Sequence, residues 1–192
     1  MGHGSRGALP LQVILAVDFR QAIPRLESSS LLTGATRKFA ESRQLPPAAA
    51  ATIEGSCEVR RLDLADLASV RAFAAAWSGD LDVLVNNAGV MAVPEQRTVD
   101  GFELQFATNH LGHFALTNLL LPKVGDRVVT VSSFMHLLGK ISLKDLNWKS
   151  RPYSAWLAYG QSKLANLLFT SELQKRLDAA GSLLTSQAAH PG

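Results

Sequence analysis

Short unbroken apolar runs alternate along this chain with stretches whose apolar residues recur at helical spacing. Residues 11–17, Leu-Gln-Val-Ile-Leu-Ala-Val, form a branched apolar run of the kind buried on both faces of a parallel sheet. Residues 57–62 are a more polar strand candidate that ends at Asp63. Asp66 then stands where a helix N-cap belongs. Leu67, Val70, Ala74 and Trp77 follow at i, i+3, i+7 and i+10, one stripe of a helix that Gly79 closes. Residues 81–85 and 127–132 read as further strands. A helix over about 101–121 is ended by Pro122, and a longer one over about 156–177 stops near Gly181, with Leu164, Leu167, Leu168 and Leu177 as its inward positions. A weak last strand, 183–188, leads into His190-Pro191-Gly192.

Strands alternating with helices predict an α/β fold: a doubly wound, Rossmann-like parallel sheet with helices on both faces. A chain of 192 residues suits a single domain over 1–192. Residues 21–52 interrupt the scheme. Ser28-Ser-Ser30 and the Pro46-Pro47 alanine tract are turn and breaker sequence, and the connection from Val17 to Cys57 is long for one strand–helix–strand unit. This stretch reads as an irregular insertion.

Composition narrows the function classes. A hydrophobic share of 47% against 18% charged residues describes a globular chain with a core. The net charge of +3 comes from scattered Lys and Arg with no basic run, which argues against a nucleic-acid partner. One cysteine, Cys57, excludes an intrachain disulfide and suits a reducing compartment, with the cytoplasm as the expected location. No stretch approaches membrane-spanning length, and no signal-peptide pattern opens the chain. His110, His113 and His136 lack metal-ligand spacing, so no metal site is expected.

The chemistry gathers around Tyr159-Gly-Gln-Ser-Lys163. Four residues apart on a helix, Tyr159 and Lys163 share one face. A phenol ordinarily ionises near pH ~10, and a fixed ammonium beside it favours the phenolate. A hydroxyl such as Ser133 can hold a substrate oxygen while the phenol gives or takes a proton. Alone, Tyr-x-x-x-Lys is more often a solvated helix face. Here it follows Asn86-Asn87-Ala88-Gly89 behind a buried strand, Asn109-His110-Leu111-Gly112, and Val131-Ser132-Ser133, in that order.

From about residue 57 to 192 these motifs resemble the short-chain dehydrogenase/reductase superfamily. The long spacer between Ser133 and Tyr159, carrying Asp145-Leu-Asn-Trp148, is similar to that of its retinol-dehydrogenase-like branch. The resemblance implies reversible hydride transfer between a nicotinamide cofactor and an alcohol or carbonyl, with an apolar substrate. It implies catalytic roles for Tyr159 as acid/base, Ser133 as oxygen holder, Lys163 as pKa tuner and ribose ligand, and Asn109 as a water-holding relay. It places Asp63, Leu64, Asn87, Ala88, Gly89, Tyr159, Lys163, Pro191 and Gly192 around the cofactor. Ser133 is preferred to Ser132 because the family's serine is the second of the pair and strand neighbours point opposite ways. Phe134, Trp148, Tyr153 and Trp156 are candidates for an apolar cleft wall. The helices near 101–121 and 156–177 resemble those that build the family's dimer interface, so self-association is expected.

Two departures accompany the resemblance. The family's glycine-rich turn after its first strand, which admits the cofactor pyrophosphate, has no match; 11–17 looks like the family's second strand, as if the first were missing. Leu31-Leu-Thr-Gly-Ala-Thr36 resembles the start of that turn and could fill the vacant place out of order. The family also continues beyond the His-Pro-Gly motif. The alternative reading is therefore a shortened, catalytically silent homologue that acts only by association. The choice between NAD and NADP stays open: Asp18, read as closing the second strand, favours NAD, whereas Arg20 favours NADP.

Overall fold

A computed structural model describes residues 12–18, 36–42 and 57–191. Six strands form one sheet: β1 Gln12–Asp18, β2 Thr36–Ser42, β3 Cys57–Arg61, β4 Leu81–Asn86, β5 Val124–Val131 and β6 Thr185–Ala189. Their order is β3-β2-β1-β4-β5-β6, every neighbouring pair parallel. This is the doubly wound order, with its switch point between β1 and β4. Besides two short 3-10 turns, three helices are described: α1 Leu67–Ala75, α2, and α3 Ala155–Ala179. In α2, Leu104–Phe106 and Gly112–Leu120 are α-helical and the turn between them, Ala107–Leu111, is π-helical. The β3→β4, β4→β5 and β5→β6 connections all step the same way along the sheet. Right-handed crossovers therefore put all three helices on one face, where α1 packs on α2 and α2 on α3.

Sequence explains each element. Asp66 caps α1, accepting from the N–H groups of Ala68 and Ser69 at 2.8 and 3.3 Å. Gly79 takes the left-handed φ of 86° that ends the connection, a conformation glycine reaches without Cβ strain. Val70, Phe73, Trp77, Leu116, Leu120, Leu173 and Leu177 pack on Leu81, Leu84 and Val128 of the sheet. Truncating a fully buried leucine such as Leu84 to alanine costs roughly 2–5 kcal/mol. Gly112 lets α2 lie on the chain after β3, since a Cβ there would stand 2.4 Å from the Leu64 carbonyl oxygen. Among the described residues no helix is long and apolar enough to cross a membrane.

Four expectations are corrected. Gln12–Asp18 pairs with both β2 and β4, so it is the central strand rather than the second, and no inner place is vacant. Leu31–Thr36 therefore has no empty slot to fill: Thr36 opens β2, and 31–35 lie outside the described residues. Nor is 21–52 irregular throughout, because Thr36–Ser42 forms a strand between β1 and β3. Its charged sequence hid it, since Thr-Arg-Lys-Phe-Ala-Glu-Ser lacks the apolar run by which the other inner strands are read. Asp18 accordingly closes β1, and Ser42 closes β2, which removes the carboxylate from the position that was to favour NAD.

Candidate active site

The carboxyl ends of β4, β5 and β6 open on one cleft of about 310 Å³. Asn87 and Gly89 follow β4, Ser132 and Ser133 follow β5, and His190 and Pro191 follow β6; Val90, Met91 and Val131 complete the wall with Tyr159 and Lys163 of α3. Ligands of open parallel sheets bind at this edge because the strands end there and the loops diverge.

The first half of α3 buries an unusually polar face: Gln161, Ser162, Lys163 and Asn166 are all nearly inaccessible. Lys163 Nζ donates to the Val131 carbonyl at 3.1 Å, and Asn166 Nδ2 donates to the same oxygen at 3.1 Å. Burial lowers the Lys163 ammonium from its ordinary 10.5 to about 8. Its Nζ stands over the Tyr159 ring, 5.6 Å from the ring centroid. This alters the expectation for Tyr159. Burial raises the phenol above its usual range, and a hydrogen bond with Ser133 offsets that only in part.

The two serines separate as strand alternation requires. Ser132 Oγ donates to the Lys163 carbonyl at 2.9 Å and is buried. Ser133 caps the short 3-10 helix Phe134–Leu138, accepting from Met135 N–H at 3.3 Å, with its hydroxyl beside Tyr159. Two glycines set that neighbourhood. A Cβ on Gly139 would lie 2.4 Å from the Gly160 carbonyl oxygen, and one on Gly160 would lie 2.8 Å from the Met135 carbonyl oxygen. Backbone thus rests on backbone between the Ser133 turn and the Tyr159 helix.

Asn109 sits in the π-helical turn, a local widening that is frequent at functional sites. It has no solvent exposure. Its Oδ1 accepts Val90 N–H at 2.8 Å, while Nδ2 donates to the Val90 carbonyl and to Ser162 Oγ, both at 2.9 Å. Gly89 lies between Asn109 and Lys163: a Cβ there would be 3.1 Å from Asn109 Oδ1 and 3.5 Å from Lys163 Nζ. A larger residue at 89 would crowd both groups.

The cleft thus gathers Ser133, Tyr159, Lys163, Asn87, Gly89 and Pro191, with Asn109 directly behind it. Ala88, only 2% exposed, and Leu64, likewise 2%, belong to the hydrophobic core instead. Asp63 closes the turn after β3, its Oδ1 accepting Ala65 N–H at 2.9 Å. Gly192 lies outside the described residues. Of the four aromatic candidates none lines this cleft. Trp148 is buried, with the Arg151 guanidinium 3.6 Å from its ring centroid. Arg151 in turn donates to Gln161 Oε1 at 2.9 Å, and Gln161 donates to the Leu146 carbonyl at 2.8 Å, so the spacer is a buttress on α3. Tyr153 hydrogen-bonds Glu103 and Gln105, and burial pushes its phenol up to about 12. Phe134 and Trp156 are exposed. Sequence reading gave Val131 no role of its own, although its carbonyl carries the Lys163 contact, because backbone acceptors leave no residue signature. Ser162 and Asn166 lay inside the helix expected over about 156–177, and the signal for both was polarity on a face that apolar spacing should have buried. Among the described residues no cluster of side chains fits a metal ion.

A parallel sheet in this order, with a tyrosine and a lysine one helical turn apart facing a serine at the strand ends, defines a Rossmann-type dehydrogenase framework. The chain belongs to the short-chain dehydrogenase family, whose model matches residues 31–192, beginning past β1. It is 49% identical over 148 residues to retinol dehydrogenase 13 of Homo sapiens, a match covering 73% of this chain and 44% of that protein. The chain therefore spans less than half the length of this curated relative. A crystal structure of an uncharacterized protein from Mycobacterium paratuberculosis is similar over 96% of this chain and 70% of its own, with 57% identity and a TM-score of 0.83. The Pseudomonas aeruginosa RhlG/NADP active-site complex is similar over 83% of this chain and 63% of its own, with 27% identity and a TM-score of 0.60.

Proposed function

We propose that this chain is an oxidoreductase of the short-chain dehydrogenase type, interconverting an apolar alcohol and its carbonyl with NAD or NADP. The observation that carries the reading is the convergence of Ser133, Tyr159 and Lys163 on one cleft at the sheet's carboxyl edge. The cleft suits the nicotinamide-ribose end of such a cofactor. Gly89 leaves room for close approach beside Asn109, and Lys163 presents a buried ammonium that donates to the Val131 carbonyl. RhlG, a similar fold, is known with NADP, and retinol dehydrogenase 13 carries an apolar alcohol in its name.

Held by Lys163, Asn87, Gly89 and Pro191, a bound nicotinamide would supply the hydride chemistry between the alcohol and carbonyl carbon. In the reductive direction the Tyr159 hydroxyl gives its proton to the substrate oxygen, and in the oxidative direction the phenolate takes it back. Ser133 donates to that oxygen and holds it beside Tyr159. Lys163 binds the ribose hydroxyls and, as an ammonium, favours the phenolate against the burial that disfavours it. Asn109 fixes Val90 and with it the wall beside Gly89; we assign it the relay water behind Lys163. Asn87, Gly89 and Pro191, with Asp63 farther along the edge, take the rest of the cofactor, and Ala88 and Leu64, their side chains in the core, meet it through backbone only.

The reading includes self-association and a cytoplasmic setting. A largely apolar groove of about 380 Å³ runs between α2 and α3, lined by Phe106, His110, Phe114, Leu143, Leu168 and Phe169. Phe114 and Leu168 are 46% and 53% exposed there, and a second copy presenting the same two helices is the occupant we assign, following the family resemblance of those helices. The single cysteine suits a reducing compartment.

Reduction of retinaldehyde by NADPH or NADH tests the activity. Tyr159→Phe should lower turnover by about 10²–10⁴-fold while nucleotide still binds, as expected on loss of a general acid. Turnover unaffected by Tyr159→Phe would overturn the assignment.

A further inference from the structure

Gln105 lies one turn before Asn109 on α2 and is fully shielded from solvent. Its Oε1 accepts Ala92 N–H at 2.8 Å. Its Nε2 donates to the Ala155 carbonyl at 2.9 Å and to the Tyr153 hydroxyl at 2.8 Å. Asn109 repeats the arrangement four residues on, accepting from Val90 N–H and donating to Ser162 of α3. Two carboxamides on one helix face thus each join segment 90–92 to the helix that carries Tyr159 and Lys163. Both N–H groups of each amide are used, so each fixes a distance as well as filling space.

The segment needs such fixing. Ala92 holds a left-handed φ of 51°, which a residue with a Cβ adopts only when its surroundings enforce it. Val90 and Met91, just before it, line the cleft opposite Tyr159 and Lys163. Ala155, the acceptor for Gln105, is the first residue of α3. Gln105 itself does not reach the cleft surface. Tyr153, its third partner, also stands within hydrogen-bond distance of Glu103 and the Val93 carbonyl, so the same network holds the next residue of the wall.

We infer that Gln105 is a positioning residue that sets the width of the cleft by holding the 90–92 wall against the start of α3. The kinetic part of this inference rests on the proposed activity, and the structural part does not.

Gln105→Met keeps the length and near volume of the side chain and removes its hydrogen bonds. Hydrogen exchange of the full chain is the first measurement. Peptides spanning 90–93 and 155–158 should exchange about tenfold faster or more, with the β5 peptides unchanged. Unchanged exchange at 90–93, or equal acceleration across β4 and β5, would overturn the clamp. In retinaldehyde reduction with NADPH, kcat should fall by about tenfold or more with KM within about twofold, because misplacement costs turnover more than binding. A shift in exchange with unchanged kcat would overturn the positioning role. A wild-type chain that binds no nucleotide and turns over nothing would sink the activity instead, and the exchange result would still decide whether Gln105 holds the wall.

Discussion

At Lys163 two demands meet. Burial holds its ammonium at about 8, well below an ordinary lysine, yet an anionic cofactor and a phenolate both need that charge. Below about pH 8 the side chain is charged in the folded chain, and above it the charge is lost. Binding of NADPH should therefore weaken as pH rises through about 8, and Lys163→Met should remove that step along with most of the affinity; titration at several pH values checks both. Stability moves the opposite way. Between about 8 and 10.5 the unfolded chain holds a proton on Lys163 that the folded chain has released, so the folded state gains stability as pH rises through that window and bears the full burial cost below it. Sequence showed which residues would meet here, and strand alternation separated Ser132 from Ser133. It did not show that Lys163 lies over the Tyr159 ring and bonds Val131, because that depends on a backbone carbonyl and on the depth of burial.

Helix α3 shows why pattern reading falters next to a site. Its apolar spacing nominated Leu164, Leu167, Leu168 and Leu177 as inward, but only Leu177 of these is fully buried, and Leu168 faces the groove. The first half of the buried face is spent on Gln161, Ser162, Lys163 and Asn166, each held by hydrogen bonds. Polar residues at positions that helical geometry buries were the legible signal. The strand β2 was missed for the complementary reason, since its Arg, Lys and Glu disguise an inner strand. Between elements, the Gly139–Gly160 contact sets how closely the Ser133 turn approaches α3. Gly160→Ala would place a Cβ 2.8 Å from the Met135 carbonyl and should destabilise by about 1–3 kcal/mol, as overpacking does. Its cost to kcat should exceed what that destabilisation explains, since Ser133 must move away from Tyr159; thermal denaturation and kinetics on the same variant separate the two effects.

Over the whole molecule, the strand order brings the loops after β4, β5 and β6 to one edge, which is how residues 87, 133 and 190 come to share a cleft though far apart in sequence. The alternation of strands and helices made this edge legible from the amino-acid order alone. The place of residues 11–17 was not, because a buried parallel strand carries no mark of whether it lies at the centre or next to it. The groove between α2 and α3 should be closed by a second copy. Phe114→Glu is expected to convert a dimer to a monomer in light scattering without unfolding the sheet, and a wild-type chain monomeric at high micromolar concentration would refute the pairing. The glycine-rich turn of the family is absent from the sequence, so cofactor binding is the point on which everything else depends. Titration of the folded chain with NADH and NADPH, followed by nucleotide fluorescence, measures it directly. Saturable binding that Lys163→Met weakens is the expected result. A folded wild-type chain that binds neither nucleotide would contradict the proposed activity, leaving Ser133, Tyr159 and Lys163 as a framework without a reaction.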